Sequence, residues 1–267
     1  MFRKSLTFLF IIFFLSANLF AKESINITAY SAVLMNTWNK RVLYAKNPYV
    51  KLAPASTTKI MTALVVLKES ELSKNVNVSR CATCMPPSKV DIKKGEVYST
   101  EDMLKAALLN SGNDASVALA ESVAGSEKEF VRMMNDMAKK IGCRNTVFKT
   151  SNGLPAKGQY STAYDLALIM REAVKDKRLL DILQIKETEI TELNSGRHIK
   201  LKNHNKSLWK DASYLILGKT GYTIRAKQCF VGYIQYDKRH NVIVVMLKGK
   251  RLWPDLRELA GKGRKLF

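Results

Sequence analysis

The 267-residue chain carries 44 Lys plus Arg against 23 Asp plus Glu, a formal charge of +21, and 46 % of its residues are hydrophobic. That composition excludes a disordered chain and bounds the body to one sizeable domain with a real core, or two small ones. The positive balance suits anionic surroundings, but no nucleic-acid motif of known spacing is present, so no nucleic-acid partner is expected. Peripheral association with a membrane or an anionic wall polymer is what the charge leaves open.

Arg3 and Lys4 precede an apolar run from Leu6 to Leu15, and Ser16, Ala17 and Ala21 supply small residues for cleavage. The run is short for a spanning helix. Residues 1–21 are therefore expected to be a secretory signal peptide, with an uncleaved anchor as the alternative, and residues 22–267 the working domain. Either way the body is expected outside the cytoplasm, in a periplasm or on the outer face of the cell membrane.

Ile27 to Asn36 reads as a strand, 36–40 as a turn, and Arg41 to Ala45 as the second arm of a hairpin. Pro54 suits a helix entry, and Ile60, Met61, Leu64 and Leu67 recur at helical spacing before Ser70 ends the pattern. Residues 71–98 read as irregular, with Pro86-Pro87 and Lys94-Gly95 as breakers. A helical block follows: Thr100 as a cap for a helix through Leu109, a break at Ser111-Gly112-Asn113, and a resumption from Ala115 to Val123. Ser126 to Glu129 forms a capping box for a helix that ends near Ile141-Gly142, and Ser161-Thr162 opens another. Strand signals return over Gln228 to Tyr236 and Asn241 to Leu247, and Trp253 to Phe267 reads as a closing helix. Strands at both ends and helices between them predict an α+β fold: one antiparallel sheet flanked by helices, with a helical lobe and a cleft between.

Cys81 and Cys84 have the spacing of a redox or zinc half-site. No second such pair exists, and His198, His204 and His240 form no ligand motif. A local disulfide or two free thiols is expected there, and no metal. The pairing of Cys143 and Cys229 stays open.

The chemistry centres on Ser56-Thr57-Thr58-Lys59. Three residues apart on a helix, the Ser56 hydroxyl and the Lys59 amine lie on one face. A lysine becomes a base for a serine when burial or a second cation favours its neutral form. A second Ser-x-x-Lys, at Ser207 to Lys210, has no helical apolar pattern after it and reads as a decoy. Alone, a Ser-x-x-Lys is a chance helix start, Ser111-Gly112-Asn113 an ordinary turn, and Lys219-Thr220-Gly221 the punctuation of a strand end. Together with Ser111-Gly112-Asn113 and Lys219-Thr220-Gly221, in that order, they form a set known from penicillin-binding proteins and class A β-lactamases.

On these stretches, and on Leu109 to Ala115, Gly158 to Ala163 and Lys219 to Thr223, the chain resembles the serine-type D-alanyl-D-alanine carboxypeptidases, the low-molecular-weight penicillin-binding proteins. The resemblance runs over about residues 26–267 and implies a β-lactamase/transpeptidase-like fold. It implies Ser56 as nucleophile, Lys59 as its base and Ser111 as proton relay. Asn113 would hold the substrate amide, and Lys219 with Thr220 the terminal carboxylate. Gly221 would admit the substrate to a strand edge, and the backbone N–H groups of Ser56 and Tyr222 would form the oxyanion hole. The implied reaction removes the terminal D-alanine from peptidoglycan stem peptides. No cofactor is implied, and β-lactam antibiotics would be covalent inhibitors. D,D-endopeptidase action on cross-links is the first alternative. A class A-like β-lactamase is the second, but it would need a glutamate to activate water, and Thr146 to Tyr164 contains neither Glu nor Asp. Many relatives add a β-rich domain and an amphipathic anchor. The sequence reaches Phe267, where the catalytic domain is expected to end, which puts carboxyl-terminal anchoring of that kind in doubt.

Overall fold

The computed structural model describes residues 25–210 and 213–267. The expected signal peptide lies outside them.

Strands β1 (Ser31–Asn36) and β2 (Val42–Lys46) form the first hairpin. A 3-10 turn, Ala55–Thr58, then runs into helix α1 (Lys59–Glu69), with Ser70 at its carboxyl cap. The stretch expected to be irregular holds three short pieces: β3 (Asn75–Asn77), helical turn α2 (Arg80–Thr83) and β4 (Val97–Ser99), with β3 paired to β4. Next come α3 (Thr100–Leu109), α4 (Asn113–Ala124), α5 (Glu127–Ile141), α6 (Ala163–Ala173) and α7 (Lys177–Leu183). A hairpin of β5 (Glu187–Thr191) and β6 (His198–Lys202) follows. Strands β7 (Leu215–Thr223), β8 (Lys227–Gln235) and β9 (Asn241–Gly249) and helix α8 (Leu252–Arg264) complete the chain.

The main sheet is fully antiparallel in the order β2-β1-β9-β8-β7, so the two ends of the sequence meet at its centre. Val33 stands opposite Val245, and Val245 opposite Val231. Strand β9 is buried on both faces. Val242, Val244 and Met246 pack with Leu256, Leu259 and Ala260 of α8, while Ile243, Val245 and Leu247 join the larger core with α1 and α6. This is why its sequence is an unbroken apolar run rather than an alternating one. Helix α1 is buried from Lys59 to Leu67, the state of a helix at the centre of a lobe. Asp255 ties α8 back to the start of the body by accepting from the N–H groups of Thr28 and Ala29, each at 2.9 Å.

Several caps differ from the sequence expectation by one residue. Ser99, not Thr100, caps α3, its hydroxyl accepting from the Asp102 N–H at 3.0 Å. Thr162, not Ser161, caps α6 by accepting from the Asp165 N–H. Ser161 instead shares a hydrogen bond with the Thr146 hydroxyl at 2.8 Å. Helix α4 starts at Asn113 rather than Ala115. Neighbouring hydroxyl residues compete for one cap position, and the one immediately before the first helical residue takes it, Ser99 before Thr100 and Thr162 before Ala163.

Candidate active site

Ser56 sits in the 3-10 turn and Lys59 opens α1, so the pair straddles a helix entry. The Lys59 amine lies 3.3 Å from Ser56 Oγ, 2.8 Å from Asn113 Oδ1 and 2.9 Å from the Asn152 carbonyl. As an ammonium it donates to all three. As a neutral amine it has two N–H bonds, which the two carbonyl oxygens absorb, and its lone pair is left facing the Ser56 hydroxyl. Burial pushes the Lys59 amine well below the ordinary lysine range. The Lys219 charge pushes the same way, and Asp114 opposes both.

Two glycines allow the backbones to close around this pair. Gly153 follows the Asn152 carbonyl with φ +86°, and a Cβ there would stand 1.9 Å from the Ala55 carbonyl oxygen. A Cβ at Gly221 would stand 3.0 Å from Ser56 N and 3.1 Å from Thr57 N. Strand β7 therefore lies directly against the Ser56 turn. Among the described residues it is the edge of the main sheet, paired with β8 alone, so its outer side faces the cleft.

Lys219 has the strand parity of Leu217, which sends its side chain into the helical lobe rather than to solvent. It is 1 % exposed, and its amine donates to the Thr220 carbonyl at 3.1 Å. Burial lowers it to about 7. The Lys219 charge in turn disfavours the protonated form of Lys59.

Ser111 occupies a left-handed position, φ 62°, in the break between α3 and α4. It lines a cleft of about 270 Å³ together with Ser56, Thr220, Gly221 and Tyr222. Asn113 reaches Lys59 through Oδ1, and its Nδ2 donates to the Pro86 carbonyl at 2.9 Å. In this resting site both ends of its amide are engaged by the protein. Of the residues that the sequence nominated, Ser56, Ser111, Thr220, Gly221 and Tyr222 line this cleft, Lys59 and Asn113 are buried beside Ser56, and Lys219 is buried beneath β7. The decoy is not among them: Ser207 is turned to Asn205 Oδ1 and the Ile216 carbonyl, and Lys210 lies beyond its turn.

Other cleft residues were not foreseen. The Asn152 carbonyl is a backbone atom, and only the Asn152-Gly153 turn dipeptide hinted at it. Ser88, His204, Gln228, Leu252 and Trp253 complete the lining. The N–H of His204 donates to the Leu109 carbonyl at 3.1 Å, which pins the loop after β6 beside Ser111. Burial, with the Lys219 charge beside it, holds the His204 ring below its usual range. Among the described residues no group of His, Cys, Asp and Glu could hold a metal ion.

A serine–lysine pair between a helical lobe and a sheet-edge lysine places the chain in the penicillin-binding class of folds. Solved structures of that class overlay on nearly the whole chain. A D-alanyl-D-alanine carboxypeptidase from Mycobacterium tuberculosis matches with a TM-score of 0.84 at 28 % identity, covering 92 % of this chain and 96 % of that one. The Streptomyces K15 DD-transpeptidase matches with a TM-score of 0.82 at 26 % identity, covering 90 % and 98 %. The family model described as D-alanyl-D-alanine carboxypeptidase matches residues 18–250, and the chain belongs to that family. Among curated relatives, D-alanyl-D-alanine carboxypeptidase DacF of Bacillus subtilis is 39 % identical over 222 residues, and DacC of Escherichia coli 36 % over 242. The alignments cover 81 % and 86 % of this chain but only 57 % and 59 % of those relatives' own lengths.

Proposed function

We propose that the chain is a serine D-alanyl-D-alanine carboxypeptidase, acting on peptidoglycan stem peptides through an acyl-enzyme on Ser56. The observation that carries this reading is the environment of Lys59: a buried amine whose two N–H bonds have carbonyl partners and whose lone pair is left to Ser56. The Ser56–Lys59 distance of 3.3 Å is that of a resting site, where catalytic hydrogen bonds are commonly long.

The substrate lies along the open side of β7. Its terminal carboxylate meets the Lys219 cation and the Thr220 hydroxyl in charge-assisted hydrogen bonds. Its scissile carbonyl sits with the oxygen toward the backbone N–H groups of Ser56 and Tyr222, which stabilise the charge that develops there. Lys59 takes the Ser56 proton as Oγ attacks. The proton returns through Ser111 to the leaving amine, D-alanine departs, and water releases the shortened peptide. Asn113 serves first to hold Lys59, and a substrate amide is bound by its Nδ2 only when the Pro86 contact opens. The same site is acylated by β-lactams, whose carboxylate meets the same clamp. The substrate is a wall polymer, which places the working enzyme outside the cytoplasm.

The test is mass spectrometry after incubation with a penicillin. The adduct is expected on the tryptic peptide Leu52–Lys59 and is expected to persist, because Thr146 to Tyr164 offers no carboxylate to activate water. It should be absent from Ser56→Ala and unaffected by Ser207→Ala. Rapid multiple-turnover hydrolysis of the penicillin would contradict the reading.

A further inference from the structure

Cys81 and Cys84 take no part in the reaction above, yet they lie at the head of a segment that holds it. Ser79 caps α2 by accepting from the Ala82 N–H at 3.0 Å, and the Cys84 N–H donates to the Cys81 carbonyl at 3.2 Å. Both thiols are free and exposed, whereas Ala82 between them is fully buried. The chain then runs directly to the site. Met85 Sδ accepts from Asn152 Nδ2 at 3.8 Å, the Pro86 carbonyl from Asn113 Nδ2 at 2.9 Å, and the Ser88 carbonyl from the Asn113 N–H at 2.8 Å. Asp114 accepts from the N–H groups of Val90 and Ile92. Residues 85–92 thus form a strap across the start of α4, and the strap holds the asparagine that holds Lys59.

We propose that Cys81 and Cys84 are a reversible dithiol–disulfide site, and that their oxidation displaces the strap and slows acylation of Ser56. The second clause rests on the function proposed above. Residues three apart in a helical turn have Cα atoms about 5 Å apart, inside the range of about 4.4–6.8 Å that disulfides span. The bond can therefore close without unfolding the turn. The Cβ atoms of such a pair stand about 5–6 Å apart, and a disulfide brings them to about 3.8 Å. Closure thus draws the two residues together by about 1–2 Å. Ala82 is fixed in the core, so the end that moves is Cys84, joined directly to Met85 and Pro86. A movement of that size is comparable with the margin of the hydrogen bond from Asn113 to Pro86.

The oxidant is another disulfide, of low molecular weight or on a protein. One cysteine, as its thiolate, attacks a sulfur of that disulfide and expels a thiolate. The other cysteine attacks the mixed disulfide and expels the second. One S–S bond breaks in the reagent and one forms between Cys81 and Cys84. The two electrons and two protons given up by the cysteines end on the reagent's two thiols.

Oxidised glutathione is the probe, applied to the full chain and followed by tryptic digestion. Cleavage after Arg80 and Lys89 leaves both cysteines in one peptide, Cys81–Lys89, so the internal bond reads as a loss of two hydrogens. The expected result is that loss, together with acylation by a fluorescent penicillin slowed by at least about fivefold and restored by dithiothreitol. Amide hydrogen exchange at the start of α4, which includes the Asn113 N–H, should quicken on oxidation. That readout does not need Ser56 to be the nucleophile. The Cys81→Ser/Cys84→Ser double variant should acylate at the reduced rate before and after treatment. Failure to form the internal bond overturns the proposal. So do acylation and exchange rates equal in the two states, or a double variant as sensitive as the parent. If neither state is acylated but exchange still rises on oxidation, the redox site stands and the reading of Ser56 falls.

Discussion

Replacing Asn113 by Asp exchanges one NH2 group for an oxygen with almost no change of shape, yet it should disable the Lys59 base. The Asn113 oxygen stands 2.8 Å from the Lys59 amine. A full negative charge at that distance, with an effective dielectric of about 20, attracts an ammonium by about 6 kcal/mol. At about 1.4 kcal/mol per pH unit this corresponds to about 4 units. Burial of the new carboxylate consumes part of it, because desolvation raises its own pKa, and the remainder raises Lys59. Each unit leaves tenfold less neutral amine, so acylation at neutral pH should fall by about 10²–10³. The assay is stopped-flow acylation by a fluorescent penicillin from about pH 5 to about pH 10. The rising limb should move to higher pH with the plateau partly regained. Asn113→Ala supplies the comparison: it removes the acceptor without adding charge, so it should slow the reaction without that displacement. A rising limb at the parent position in Asn113→Asp would refute the assignment of Lys59 as the base.

Lys219 carries its proton below about 7 and loses it as pH rises through that value. For a substrate with a free carboxylate, kcat/KM should therefore fall above about 7, and Lys219→Arg, which keeps its charge, should remove that falling limb. An amidated D-Ala-D-Ala terminus should react far more slowly and show no such limb; equal rates for acid and amide would remove the clamp. Gly153→Ala puts a Cβ 1.9 Å from the Ala55 carbonyl at a positive φ, so thermal unfolding should show a loss of about 3 kcal/mol or more, with acylation slowed as the Asn152 carbonyl leaves Lys59.

The sheet centre and the helix entries were legible in the sequence because local preference and burial agree there. The apolar run of β9, Pro54 before the Ser56 turn, and the Ser126 cap, whose hydroxyl accepts from the Glu129 N–H, are such places. Strand β7 was not legible as a strand. Lys219, Thr220 and Gly221 read at most as the punctuation of a strand end, since glycine is a poor strand former and lysine is seldom buried. Those residues are what the site needs: a cation aimed inward, and no Cβ where the strand meets Ser56. Local rules fail at such positions because the site demands it. The pieces β3, α2, β4, β5 and β6 were missed for a simpler reason: all are three to five residues long, too short for periodicity to register. The Asn152 carbonyl could not be nominated from a side chain at all, since any residue carries that atom.

The central claim is that Ser56 opens the D-Ala-D-Ala bond of a stem peptide. The most direct measurement follows purified pentapeptide muropeptides, monomeric and cross-linked, by mass spectrometry with the parent chain and with Ser56→Ala. The account predicts free D-alanine and tetrapeptide from the parent and neither from the variant, with cross-linked dimers converted more slowly than pentapeptide is trimmed. Tetrapeptide formed equally by both proteins would contradict it, and dimers split to monomers while pentapeptide stays whole would assign the site to endopeptidase action instead.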